Sequence, residues 1–266
     1  MMPLRTFPLL LWTSLSACSI LQPARSLSLR TLDPGAFPIE ASYTPDERAV
    51  PVLFATTPPE VPPTFQLSHL PPAGDQGKQA SGAAWAVGYL AHSRAFRKQE
   101  PDYTCSPSFL YNTANGGKDQ GIPAMAALEI LKEKGCAPLS LMPYNERDFY
   151  RRPGGSALQA AQRYRIRGFA RVDYADIEQI RGHLLQGSVI IVTMKVTESF
   201  VGLKDPEWIP AGDFVGVQSL GVVGYDITHD QVILQNSSGG EWGKFGLARL
   251  SLTWFQRLTE KAFVIF

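Results

Sequence analysis

A chain of 266 residues, 44% of them hydrophobic and 11% aromatic, is long enough to bury a sizeable core. Its 25 basic and 24 acidic residues nearly cancel and form no basic block or stripe, which argues against nucleic acid as a partner. No apolar run reaches the length of a membrane-spanning helix.

The chain opens on a targeting pattern. Arg5 supplies a positive charge, Phe7 to Leu15 is a short apolar stretch, and Leu15-Ser16-Ala17-Cys18 follows. The layout is that of a secretory signal. Its last four residues resemble a bacterial lipobox, in which the Cys is acylated and becomes the mature N-terminus. A simple signal cleaved after small residues is the alternative. Acyl chains on Cys18 would anchor the chain at about 0.8 kcal/mol per buried CH₂. Ser19 after the Cys, by analogy with bacterial lipoproteins, favours the outer membrane. The expected location is therefore the bacterial cell envelope, lipid-anchored and facing the periplasm. Residues 1–17 read as signal. Residues 18–63, rich in Pro and Ser, read as a tether, and residues 64–266 as the folded domain.

The first half of that domain reads as helical. Helices are predicted over Gly82 to Arg97, over Ser106 to Ala114 with Ser106-Pro107 as cap and first turn, and over Pro123 to Lys134, ended by Gly135. "YADIEQIRGHLLQG" is a further short helix. The second half turns to strands: "SVIIVTMKV", "SLGVVGYDI", "QVILQN", "FGLARLS" and "KAFVIF", separated by Gly, Asp and Asn turns. Helices first and strands later give an α+β fold of two packed lobes, helical at the N-terminal side and antiparallel β-rich at the C-terminal side, with a cleft between them for a ligand. Besides Cys18 the chain holds only Cys105 and Cys136. An even pair in an exported chain suggests a disulfide, with two buried free thiols as the alternative.

Five stretches, in order, carry a resemblance. "DQGKQASGAAW" looks like an Asp-Gln-Gly loop leading into a catalytic helix, and "SPSFLYN" like the helix after it. "GIPAMAALEILKEKGCAPLSLMPYN" looks like the next helix and the Pro-Tyr that follows. "SLGVVGYD" and "NSSGGEWGKFG" look like the strand that opens on a catalytic His and the Asn-Ser-Trp-Gly segment. From about Leu67 onward the chain thus resembles the papain-like cysteine peptidases, in particular their bacterial branch. That resemblance implies a Cys at a helix start, a His that moves its proton, an Asn that orients the His, and a Gln amide at the oxyanion.

Counted on this pattern, the nucleophile position, six after Gln76, holds Gly82. The base position, six before Gly224, holds Gln218. Gln76 and Asn236 are retained, Ser238 stands where the family has a covering Trp, and the later Trp is Trp242. Gly has no group to attack a carbonyl, and the Gln amide takes no proton near neutral pH. The resemblance therefore implies an inactive member, a pseudopeptidase. The alternative is a hydrolase or transferase with an unrecognised nucleophile such as Ser81. Ser219 lies beside Gln218, but none of His69, His92, His183 and His229 aligns with the base. Expected binding residues are Gln76, Gly82, Trp85, Gly121, Gln218, Asn236 and Trp242. The Gln and Asn can equally satisfy backbone between the lobes, and the two Trp read as core ahead of ligand platform. Gly116, Gly117 and Gly121 precede the third helix, where the family's cleft wall lies. No cofactor is called for, and no metal-ligand spacing is visible. The expected partner is a peptide or protein of the envelope, with a secretion or export assembly as one setting for it.

Acylation is checked by mass spectrometry of the mature N-terminus. An acylated Cys18 is expected; an unmodified N-terminus elsewhere would sink the lipobox reading.

Overall fold

A computed structural model describes residues 43–266; Cys18 and the signal lie outside the described residues. The helical lobe is built on one continuous helix. It consists of α2 (Gly82–Ala84), a π-helical segment (Trp85–His92) and α3 (Ser93–Arg97) end to end. Its span is the one its apolar residues predict, but its middle turns are wider than α-helical. All of it from Gly82 to Arg94 is buried except Tyr89, so packing rather than an amphipathic stripe sets its geometry. Around it lie α4 (Pro107–Ala114) and α5 (Ala124–Glu133). Ser106 caps α4 by accepting from the Phe109 N–H at 3.2 Å. Past the end of α5, Gly135 takes φ +79°, the left-handed conformation that ends helices at glycine.

The second lobe is an antiparallel sheet. Its strands are β1 (Thr64–Gln66), β2 (Phe169–Arg171), β3 (Ile190–Thr197), β4 (Phe214–Asp226), β5 (Gln231–Gln235), β6 (Leu247–Ser251) and β7 (Thr259–Ile265). The order is β2-β7-β3-β4-β5-β6, with β1 also paired to β4. β4 begins five residues before the predicted "SLGVVGYDI", because β3 continues alongside it as far as the Thr197–Phe214 pair. α7 (Ile177–Leu185), capped by Asp176, is the short helix read from the sequence. α6 (Gly155–Ala161), α8 (Leu252–Leu258), β1 and β2 were not predicted. Each is only three to seven residues long and held by its neighbours, too short to show a period.

One expectation needs correction. The Pro-rich stretch expected as a tether through residue 63 instead packs on the domain from Tyr43 onward. The Tyr43 hydroxyl donates to the Ala262 carbonyl at 3.2 Å and accepts from the Ala262 N–H at 2.8 Å. α1 (Pro45–Ala49) carries a complete capping box between Thr44 and Glu47. Val52 bridges to Arg171, and the Ala55 N–H donates to Gln179 Oε1 at 2.7 Å. The many prolines in this stretch suit an extended arm laid on a sheet as well as they suit a free tether.

Cys105 and Cys136 form a disulfide. It ties the start of α4 to the chain just after α5. Closing a loop of 31 residues is worth about 3–4 kcal/mol in the loop-entropy account. Beside it, fully buried His92 places Nε2 2.7 Å from the Tyr164 carbonyl and Nδ1 3.1 Å from the Tyr103 hydroxyl. Burial pushes the His92 pKa down to about 4, against the opposing pull of the Tyr164 carbonyl. His183, buried as well, shifts down for the same reason, against the pull of the Leu53 carbonyl.

A depressed His pKa means that the unfolded chain takes up a proton that the folded one refuses. The stability is therefore whole above about pH 6.5 and drains as the pH falls from 6.5 toward 4. Urea unfolding should show a loss of roughly 3 kcal/mol from His92 over that window. His92→Asn should be less stable at pH 7 and visibly flatter between pH 6.5 and 4.5. Equal slopes in both chains would refute the assignment.

Candidate functional site

The two lobes meet where the helix start faces β4. The loop before the helix is pinned from several sides. Asp75 Oδ1 accepts from the Gly77 N–H at 2.8 Å, and Gly77 has φ +57°. The Gln76 N–H donates to the Ser237 carbonyl at 2.8 Å, and the Tyr144 hydroxyl donates to the Gln76 carbonyl at 2.7 Å. The Ala80 N–H donates to Asp119 Oδ1 at 2.9 Å, which links this loop to the glycine-rich segment before α5. Asp119 also accepts from the Tyr111 hydroxyl at 2.5 Å.

At the end of the loop, four of the expected residues converge. Gln218 Nε2 donates to Gln76 Oε1 at 3.0 Å and to Asn236 Oδ1 at 3.2 Å. Gln76 Oε1 accepts also from Ser237 Oγ at 2.7 Å, while Gln76 Nε2 donates to the Gln79 carbonyl at 3.0 Å. Asn236 Nδ2 donates to Ser238 Oγ at 2.9 Å. The carbonyl partner of Gln76 Nε2 fixes which way that amide points. Gly82 completes the group. A Cβ built on it would lie 2.4 Å from Gln218 Oε1 and 3.2 Å from Gln76 Oε1. The space that a side chain at position 82 would take is thus occupied by the Gln218 carboxamide. Its oxygen sits over the helix start, where the backbone carries partial positive charge.

A groove of about 420 Å³ opens from this cluster. Gly82, Gly121, Pro123, Thr193, Val217 and Gln218 are among its walls. Gly121, at φ +83°, lies on the wall as expected. The far end holds an ion pair that sequence reasoning missed. Lys261 Nζ lies 2.7 Å from Glu47 Oε2, with Glu47 buried. Burial alone would raise the Glu47 pKa, but the bonds from Lys261 and the Thr44 N–H outweigh it and hold the carboxyl below its usual range. The missed signal is Thr44-Pro45-Asp46-Glu47, a capping-box sequence.

The other expected residues stand apart. Trp85 is buried against Tyr89 and Tyr144, with ring centroids 4.6 and 4.8 Å away. Trp242 is buried on Phe200, and its Nε1 donates to the Phe200 carbonyl at 2.8 Å. Neither lines the groove; as large apolar rings, both serve the core instead of the binding surface. Ser81 is fully buried, and its Oγ lies 2.9 Å from the Tyr144 hydroxyl. Burial raises the Tyr144 pKa further, so this phenol is a poor base. The His residues sit elsewhere: His69 beside Ser68, His92 in the core, His183 against Leu53 and His229 beside Asp226. Among the described residues, one group of three His, Cys, Asp or Glu atoms lies close enough to share an ion. It is His92 with Cys105 and Cys136, whose sulfurs are already joined.

Solved structures supply the comparison. The chain is similar to xylellain, a cysteine protease from Xylella fastidiosa, at a TM-score of 0.72 and 23% identity, over 81% of this chain and 91% of that one. The fold is papain-like. The cysteine protease CMS1MS2 of Carica candamarcensis, in complex with E-64, matches at TM-score 0.64 and 16% identity over 77% of this chain and 98% of that one. Bromelain from Ananas comosus, in complex with E64, matches at 0.63 and 19% over 77% and 99%. No family model and no curated protein matches the chain.

On this papain-like frame the cluster at the helix start consists of neutral amides and hydroxyls. It can donate and accept hydrogen bonds, but an amide nitrogen has no basic lone pair to take a proton. Gly82 and Gln218 should therefore couple in a double-mutant cycle. Gly82→Ala alone should cost about 1–2 kcal/mol, because the methyl displaces the Gln218 amide from its two partners. In the background of Gln218→Ala the same change should cost at least about 1 kcal/mol less, as read by urea unfolding. Simple additivity would mean that the two positions do not share the space.

Proposed function

We propose that this chain is a non-catalytic, papain-like lipoprotein of the bacterial cell envelope, whose groove binds an extended peptide segment of a partner protein. The observation that carries the reading is the Gln218 carboxamide above Gly82, tied to Gln76 and Asn236. It fills the place where a nucleophile on the helix start would project, with a group that cannot serve as base. What remains is a groove lined by polar and apolar groups alike, with amides at one end and the Glu47–Lys261 pair at the other, which suits a peptide backbone as well as its side chains. The envelope location rests on the Leu-Ser-Ala-Cys18 pattern, and a place in a secretion or export assembly would give such a groove its partner.

Two arms test the reading. The unaltered chain should hydrolyse no peptide in a broad pool and take no label from a thiol-directed peptide electrophile. Gly82→Cys with Gln218→His should become alkylatable, because a thiol at a helix start is acidified. Turnover should stay weak, since a misplacement of about 1 Å can cost on the order of 100-fold. Adding Ser238→Trp should raise it by shielding the Asn236–His contact from water. In the second arm, Val217→Arg places a long cation on the groove wall, at a half-exposed position outside the amide cluster. Capture of bound peptides should fall at least about tenfold with an unchanged Tm. Turnover by the unaltered chain, abolished by Ser81→Ala, would replace this reading with a serine hydrolase.

A further inference from the structure

Between α6 and β2 the chain runs Arg163-Tyr164-Arg165-Ile166-Arg167, and its burial alternates. Tyr164 and Ile166 are buried, while the three arginines are exposed. Arg163 is paired, with Nη2 2.6 Å from Glu100 Oε1. Arg165 and Arg167 have no side-chain partner among the described residues. Both line a groove of about 320 Å³, distinct from the one at Gly82, whose other walls include Phe96, Ile166, Ile265 and Phe266. Gln99 is the only neutral polar side chain in that lining.

The apolar walls are fixed in place. Phe96 packs on the rings of His92, Tyr103 and Tyr164, with centroids 4.7, 5.6 and 5.4 Å away. The Phe266 N–H donates to the Gly168 carbonyl at 3.0 Å, and the Phe266 carbonyl accepts from the Arg167 and Gly168 N–H groups at 2.8 and 3.0 Å. Its ring lies on Gly168, where a Cβ would come within 2.8 Å of it. Held this way, Phe266 is still 47% exposed. Covering it would take more apolar surface out of water.

Each part of the lining excludes a class of ligand. A bare anion would gain from the guanidinium groups and leave the rings wet. A peptide would bring amides that the apolar walls cannot satisfy. An alkyl chain with an anionic head answers both: the chain covers the rings, and the head accepts charge-assisted, forked bonds from Arg165 and Arg167. A volume at the small end of the usual range for ligand sites, about 300–1,000 Å³, suits one such chain. We infer that this groove binds a single amphiphilic anion, an alkyl chain ending in a phosphate or a carboxylate.

Titration calorimetry tests the site on the full chain carrying Cys18→Ser, so that no acyl group of its own competes. The probe is decyl phosphate below its micellar concentration. One-to-one saturable binding that weakens with salt is expected. Decyl maltoside, with the same chain and no charge, and inorganic phosphate, with no chain, should each bind at least about tenfold more weakly. Decanoate separates the two sources: tighter binding than decyl phosphate assigns the site to a free fatty acid, weaker binding to a phosphorylated lipid. Arg165→Gln with Arg167→Gln should lower decyl phosphate affinity at least about tenfold with an unchanged Tm, and leave decyl maltoside unaffected. Phe266→Ser should lower it about threefold. Val217→Arg, in the other groove, should change nothing. The inference is overturned by the absence of saturable binding, by decyl maltoside or inorganic phosphate binding as tightly as decyl phosphate, by unchanged affinity in the arginine variant, or by loss of binding with Val217→Arg.

Discussion

The close approach of the central helix to β4 governs the rest of the structure. Gly221 makes it possible: a Cβ there would come within 2.3 Å of Leu90 Cδ2 and 2.9 Å of Val189 Cγ1. Gly88 does the same on the other side of the helix, against Leu110 and the Cys105 sulfur. With both surfaces this close, interior packing holds the helix rigidly. Gly82 at its start and Gln218, three residues before Gly221 on β4, are then brought to a fixed separation. The amide cluster is a consequence of this packing, since none of its members is a sequence neighbour of Gly82.

The cluster and the far end of the groove differ in their physics. At the helix start every group is neutral, so its hydrogen bonds stay the same across the physiological pH range. At the other end Glu47 and Lys261 form a charged pair largely removed from water. Breaking such a pair by removing one partner costs more than the pair itself contributes, because the remaining charge stays buried. The groove thus has one end tolerant of change and one end that is not. The intolerant end belongs jointly to the sheet and to the N-terminal arm.

Much of this was legible in the sequence for definite reasons. Long periodic runs such as Ala124–Glu133 and Ile190–Thr197 announce themselves by apolar spacing. The four residues of the amide cluster were found by resemblance and counting, and they do meet in space. Trp85 and Trp242 read as core ahead of ligand platform, and both are buried, although ring chemistry alone gives no orientation. The arm was misread because Pro-rich chain looks alike whether it floats or lies on a sheet. What decided it, the Tyr43 hydroxyl on Ala262 and Glu47 on Lys261, spans more than 200 residues of chain. Only the fold can bring such pairs together.

The arm also changes how an anchor would act on the domain. Under the proposed lipidation at Cys18, the connection from the anchor meets the domain no later than Tyr43 rather than near residue 63. Extended chain covers at most about 3.3–3.6 Å per residue, so the connection reaches no farther than roughly 90 Å, little over half the reach of a tether running to residue 63. It enters the domain at a residue whose hydroxyl is bonded to the edge of β7, four positions before the glutamate on the groove wall. A pull on the anchor would be borne first by Tyr43 and by the capping box of α1, and next by the Glu47–Lys261 pair. Under that proposal, tension on the anchor and any occupant of the groove would bear on one ion pair, because Glu47, near the start of the arm, is also part of the groove wall.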